Sequence, residues 1–394
     1  MRTLLLLFFL AVLSLPLYAQ QWYKGNLHTH SYWSDGDDFP EMIMDWYKSQ
    51  DYHFIGLSDH NILAQGEKWK LIPNSYVHRK AFEKYLEKFG EDWVVYEKDE
   101  NDRFRVKLKT LEEYRPRFEE AGKFLIIQSE EVTDGYDGKP IHLNATNVQS
   151  LVEPRHGNSV TEVMQNNINA VNEQRAKTGV PMFPHINHPN FGWAIMVDDM
   201  IPLTGERFFE VYNGHPMVHN YGDSTRIGME KMWDILITHY LRDGKPVMYG
   251  LATDDAHNYH VYSGDNSNPG RGWVMVRAND LTPEAIINAM EAGDFYSTTG
   301  VTLEDVSYDA DQLSLKIDKE GGINYRIQFW GTKKGADRED MGVLLKEVKG
   351  LEGSYQLQED DLYVRAKVIS TKPKINPFRE GDYEVAWTQP VVRQ

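Results

Sequence analysis

Nitrogen and oxygen ligands recur along this chain in short clusters, and sulfur ligands do not occur. The 394 residues include 14 His and no Cys. Asn26-Leu27-His28-Thr29-His30 sets two imidazoles two residues apart. On a strand that spacing sends both to one face, where they can grip a single ion. Ser34-Asp35-Gly36 follows as a turn that offers a carboxylate. Ser58-Asp59-His60-Asn61, Glu130-Glu131, His185 with Asn187-His188, and Asp254-Asp255-Ala256-His257 complete the series, the last repeating the two-residue spacing. A lone His is more often a packed or surface residue than a ligand. Several such clusters aimed at one place instead describe a multinuclear metal site built from imidazole and carboxylate, which suits Zn, Mn or Fe. Two ions about 3.5–4 Å apart, bridged by a carboxylate, bring a shared water towards neutral pKa, and the resulting hydroxide attacks the substrate.

The elements that must position these groups are visible in the same stretches. Five short apolar runs, residues 53–57, 124–127, 180–183, 208–212 and 247–251, each end in a polar, His-rich or acidic cluster, the fourth in Asn213-Gly214-His215. Continuous apolar runs of this length read as buried strands of a parallel sheet. Amphipathic segments at 161–177 and 230–242 lie between them, which makes a βα alternation. In a closed barrel of such units the strand ends converge on one rim, so the clusters become one site. Residues 62–122 are too many for a simple link and are rich in charge and aromatics (Trp69, Tyr76, Tyr85, Trp93, Tyr96). They form a rim insert, either a solvated ornament or a lid. Thr282 as N-cap, Pro283 at the first helical position and Gly293 beyond the end delimit a last helix. After Gly300 the period becomes two: Leu313, Leu315 and Ile317; Tyr325, Ile327 and Phe329; Val364, Ala366 and Val368; Tyr383, Val385 and Trp387. Residues 301–394 are therefore expected to fold as a small antiparallel, immunoglobulin-like β-sandwich. They contain no His, which leaves the chemistry to residues 20–300.

Charge and composition narrow the partners. Lys and Arg number 42 against 59 Asp and Glu, a formal charge of -17, and a nucleic acid would demand a basic face instead. The absence of Cys excludes disulfides, thiolate zinc sites and a cysteine nucleophile. A basic start at Arg2, an apolar run over residues 4–13 and a small residue at Ala19 describe a signal peptide over residues 1–19. That run is shorter than the roughly 20 residues of a permanent span. The mature chain is thus expected to be exported, with no membrane span.

His28-Thr29-His30-Ser31 with Ser34-Asp35-Gly36, then Ser58-Asp59-His60-Asn61, Glu130-Glu131-Val132, Asn187-His188-Pro189 and Asp254-Asp255-Ala256-His257 resemble, in that order, the motifs of the PHP (polymerase and histidinol phosphatase) superfamily. The resemblance runs from about residue 22 to 300. Gly270-Arg271-Gly272-Trp273 and Gly293-Asp294-Phe295-Tyr296-Ser297 with Gly300 resemble its CehA/McbA-like branch, related to carbaryl hydrolase. The resemblance implies a distorted (β/α)7 barrel carrying two or three divalent ions. His28 and His30 with Asp255 would hold the first, and Glu131 would bridge it to a second held also by His142 and His188. Asp35, His60 and His257 would hold the third, Asp35 standing where the family often has His. Glu131 is preferred to Glu130 because Ser129, two before it, is small; His188 to His185 because Pro189 follows; Asp255 to Asp254 because it stands two before His257. Glu131 and Asp255 would serve catalysis, and Arg271 would add a bidentate contact to phosphate or carboxylate. The implied activity is hydrolysis of a small phosphorylated molecule, a local charge of about +6 on three ions overriding the acidic surface. A carboxylic or carbamate ester is the alternative substrate, and a non-catalytic binding protein the alternative class.

Overall fold

The computed structural model describes residues 20–393, so the expected signal peptide at 1–19 lies outside the described residues. The chain opens with β1 (Gln21–Asn26), α1 (Pro40–Ser49) and β2 (Phe54–Leu57). The rim insert follows as β3 (Trp69–Leu71), α2 (Tyr76–Phe89), β4 (Tyr96–Lys98), β5 (Phe104–Lys107) and α3 (Leu111–Phe118). Next come β6 (Leu125–Tyr136), β7 (Lys139–Thr146), α4 (Val160–Thr178), β8 (Phe183–Ile186), α5 (Val197–Met200), β9 (Phe208–Asn213), α6 (Met229–Arg242) and β10 (Tyr249–Thr253). β11 (Trp273–Ala278), α7 (Pro283–Glu291) and β12 (Phe295–Thr298) lead to the last region, β13 (Leu303–Asp309), β14 (Gln312–Ile317), β15 (Tyr325–Lys333), β16 (Val343–Lys349), β17 (Glu352–Gln356), β18 (Asp361–Pro373) and β19 (Tyr383–Thr388).

The result is an α/β fold around one large mixed sheet, ordered β10-β9-β8-β7-β6-β2-β1-β11-β12-β19-β18-β15-β16. Every residue of β2, β8, β9 and β10 is buried, as their continuous apolar runs demand. Although β10 stands at one end of that order, the residues just beyond it meet those just beyond β1, through the bridge Thr29–Ala256. There the Asp255 N–H donates to the His28 carbonyl at 2.9 Å and the His30 N–H to the Ala256 carbonyl at 2.9 Å. A purely parallel sheet was the expectation, but β7 runs antiparallel to both β6 and β8. It returns from β6 through Asp137 and Gly138, both at positive φ (51° and 73°). Asp-Gly between two strands is the tight-turn signature of a two-residue hairpin, so the signal was present in the sequence. Helix α7 follows its punctuation: the Thr282 side chain accepts from the Ala285 N–H, and Gly293 has φ 81°.

The insert packs on the loop that carries Asp35. Its strands pair in the order β3-β5-β4. Its Ile72, Phe82, Tyr85, Val94, Val106 and Leu108 share one core with Tyr32, Trp33 and Phe39, the residues around Asp35. Beyond residue 300 the sheet does not break. β12 pairs with β19, and β19 with β18, while β13-β14-β17 forms a separate sheet that closes over a shared apolar core. The alternation read in β19 is not what the strand does. Tyr383 is exposed, Glu384 and Ala386 are buried, and Trp387 is buried on the other face against Tyr212. β19 lies at the joint and is covered on both sides, which erases the period of two. The joint also holds a buried ion pair: Arg365 Nε and Nη2 donate to the two Asp234 oxygens at 2.8 and 2.7 Å, and the Tyr363 hydroxyl adds 2.6 Å.

Candidate metal centre

Strand ends carry the candidate ligands to one place. His28 and His30 follow β1, His60 follows β2, Glu131 lies in β6 and His142 in β7, opposite Thr133. His188 follows β8, and Asp255 and His257 follow β10. At two of these ends the backbone turns through the left-handed region, His188 at φ 24° and Asp255 at φ 49°. Such conformations cost about 1–3 kcal/mol each and persist where surrounding structure enforces them, typically at functional sites.

The nine expected positions form one contiguous cluster. His28 Nε2 and His30 Nε2 each lie 3.2 Å from Asp255 Oδ1, and 3.4 Å from Glu131 Oε1 and Oε2 respectively. His142 Nδ1 lies 3.0 Å and His188 Nε2 3.5 Å from Glu131 Oε1. His60 Nε2 and His257 Nε2 each lie 3.5 Å from an oxygen of Asp35. His60 also turns Nδ1 towards Glu131 at 2.8 Å, so the second and third groups adjoin. His28 Nε2, His30 Nε2 and His142 Nδ1 are buried and make no hydrogen bond. Leaving such groups unpaired costs about 1–3 kcal/mol each. Their spacing is instead that of ligands around an ion: atoms bound to Zn at about 2.0–2.1 Å in a tetrahedron stand ~3.3 Å apart. The residues therefore fit a set of divalent ions. Burial by itself would neutralise Glu131, but His142, His60 and His28 hold its carboxyl well below the usual range. Asp255 is held down likewise, against its burial, by His28, His30 and His257. The centre is closed below and open on one side: His28, His30 and Glu131 are essentially inaccessible, whereas Asp35 is 57% and His60 24% exposed.

Two supporting groups, Glu210 and Asn187, were not assigned from the sequence. Glu210, in the middle of β9, accepts from His28 Nδ1 (2.7 Å), the His188 N–H (2.7 Å), Asn213 Nδ2 (2.9 Å) and Thr253 Oγ1 (2.7 Å). At 2.7 Å the His28 contact is a hydrogen bond, which puts the ring's proton on Nδ1 and the lone pair on Nε2. The clue was a carboxylate inside Phe208-Phe209-Glu210-Val211, because a charge within a buried strand needs partners. Asn187 Nδ2 donates to Glu131 Oε1 at 2.7 Å and so orients it. His185 is fully buried beside Glu210 at 3.7 Å and packs edge-on against His28, 6.4 Å between ring centres.

Arg271 corrects the reading made of it. It is 2% exposed, and Nε donates to the Asn376 carbonyl at 2.8 Å. Nη1 donates to the carbonyls of Gly214 and Asn266 (2.9 and 2.6 Å), and Nη2 to that of Ser263 (2.8 Å). With its donors spent on main-chain carbonyls, this guanidinium ties three loops together and does not reach for substrate.

No protein-family model and no curated protein matches the chain. Among solved structures the chain is similar to a two-domain protein containing a predicted PHP-like metal-dependent phosphoesterase from Bacteroides vulgatus, with TM-score 0.42, 15% identity, and coverage of 94% of this chain and 96% of that one. It is also similar to an amidohydrolase from Chromobacterium violaceum with bound sulfate and no metal, with TM-score 0.30, 12% identity, and coverage of 59% and 87%.

Proposed function

We propose that this chain is a metal-dependent phosphoesterase of the PHP type, acting on a small phosphorylated molecule. In this reading residues 20–300 form the distorted (β/α)7 barrel, 301–394 the sandwich, and the leader directs export. The observation that carries it is the set of buried, unpartnered imidazole nitrogens at ligand spacing around Glu131 and Asp255. Divalent ions bound there would supply Lewis acidity, acidifying water and offsetting charge on a substrate oxygen.

The chain's own residues do the rest. Glu210 and Asn187 fix the orientation of His28 and Glu131, so that the lone pairs are aimed before anything binds. The buried floor keeps water from the back of the site, and substrate enters where Asp35, His60 and His257 are open. Lys70 and Lys68 favour an anionic substrate. Both come from the insert and donate to carbonyls of the Asp35 loop, Lys70 to Ser34 at 3.3 Å and Lys68 to Trp33. Each ammonium retains donors beyond these bonds.

Elemental analysis of purified protein, then assays with those metals on p-nitrophenyl phosphate, bis-p-nitrophenyl phosphate and an aryl ester, test the proposal. Turnover of a phosphate ester, lost together with metal in Glu131→Ala and Asp255→Ala, is expected. Turnover of the aryl ester alone would replace the phosphoesterase reading with the carboxylic ester one. Full activity in both variants would refute the site.

A further inference from the structure

We propose that His215 is a hydrogen-bond donor to the substrate, its Nε2–H directed at an oxygen of the ester held at the metal centre. The inference rests on the phosphoesterase reading above. His215 lies two residues past β9, in a tightly held turn. Its N–H donates to Asn213 Oδ1 at 2.8 Å, and its carbonyl accepts from the Val218 N–H at 3.0 Å. Asn213 Nδ2 in turn donates to Asp255 Oδ2 at 3.1 Å. From the other side Arg271 holds the Gly214 carbonyl at 2.9 Å. The backbone that carries the ring is thus anchored both to a candidate ligand and to the loop clamp.

The ring's own bond sets its chemistry. The Met217 N–H donates to His215 Nδ1 at 3.1 Å. A nitrogen that accepts carries no proton, so the neutral ring must hold its proton on Nε2. Among the described residues Nε2 has no hydrogen-bond partner. The imidazole stands edge to face against His257 and Phe191, each 5.6 Å away, and Phe191 lies 5.1 Å from His188. His215 therefore packs directly on a candidate ligand of the third group and, through Phe191, on one of the second, without joining either. A neutral imidazole N–H fixed in such a place can stabilise charge developing on a substrate oxygen without giving up its proton.

Two substitutions separate this role from a structural one. His215→Asn keeps an acceptor near the Nδ1 position for the Met217 N–H and removes the far donor. His215→Gln does the reverse, placing an amide N–H near the Nε2 position and losing the near acceptor. Wild type and both variants are compared by metal content, melting temperature, kcat and KM on p-nitrophenyl phosphate, and the Kd for inorganic phosphate by calorimetry. His215→Asn is expected to keep its metal and melting temperature, to lose about 100-fold in kcat and to bind phosphate roughly tenfold more weakly. His215→Gln is expected to melt lower, yet to stay within about threefold of wild type in phosphate affinity. A fully active His215→Asn with unchanged phosphate affinity, or the opposite ranking of the two variants, overturns the assignment while leaving the hydrolase reading intact. A metal-loaded wild type that neither hydrolyses phosphate esters nor binds phosphate refutes that reading, and the donor falls with it.

Discussion

Glu210 offers the sharpest test of the metal centre, because it should control an ion it does not touch. Its two oxygens receive four donors, two on each. In Glu210→Gln one oxygen becomes an NH2 group and must face donors. The Oε2 position receives the His188 main-chain N–H, which cannot turn away, so the amide oxygen will occupy that side. The NH2 then faces Thr253 and His28 Nδ1. Thr253 can rotate its hydroxyl to accept, but His28 can accept only by moving its proton from Nδ1 to Nε2. That proton would occupy the lone pair directed at Asp255, 3.2 Å away. The alternative is to keep Nδ1–H against NH2 and forfeit a charge-assisted hydrogen bond of about 1.5–3 kcal/mol. Both routes converge on a 10–100-fold loss of metal affinity, or about 1.4–2.7 kcal/mol, the usual range when such an orienting carboxylate is removed. The assay is competition against a fluorescent chelator, followed step by step so that the tightest ion is resolved. Circular dichroism checks that the fold survives. Wild-type affinity at every step in a folded Glu210→Gln protein would refute the tautomer argument, and with it the assignment of His28 Nε2 as a ligand atom.

Other perturbations follow from the same geometry. Arg271→Lys keeps a positive charge but cannot span the carbonyls of Gly214, Asn266, Ser263 and Asn376, so it should lose about 2–4 kcal/mol of stability; an unchanged melting temperature with a raised KM would restore the substrate contact. Asp234→Ala strands a buried guanidinium and should cost about 3–5 kcal/mol in chemical denaturation, with metal content retained. Burial raises Glu206 from the ordinary 4.5 to about 7, against the hydrogen bond from Tyr240. Its stabilising contribution is therefore fully present below about pH 4.5 and disappears as pH rises through 7, a difference of about 3 kcal/mol. Glu206→Gln should flatten the stability profile over that window, and an identical slope in variant and wild type would contradict it.

Much of the centre was legible because its ligands sit where buried strands end. A run such as Phe124 to Ile127 can only be interior, and polar residues directly after it must either find partners or find water. Capping residues marked α7 for a similar local reason. What stayed hidden depends on contacts between distant segments. Glu210 looked like any strand residue until His28, 182 positions earlier, closed on it. Arg271 between two glycines announced a tight loop, but not that main-chain carbonyls would consume its donors. β7 was passed over although Asp137-Gly138 marked its hairpin. In β19 the alternation was real on paper but meaningless in place, since both faces are covered.

The ladder that passes from β12 to β19 has a thermodynamic consequence. With Tyr212 packed on Trp387 and Asp234 paired to Arg365 across the same seam, the region beyond residue 300 has no separate existence to fall back on. Two modules joined by a flexible link melt independently, each with its own enthalpy. Here heat should meet a single cooperative unit. The candidate metal centre and the distant edge strand β16 are expected to lose protection from hydrogen exchange together, and a calorimeter should record one endotherm.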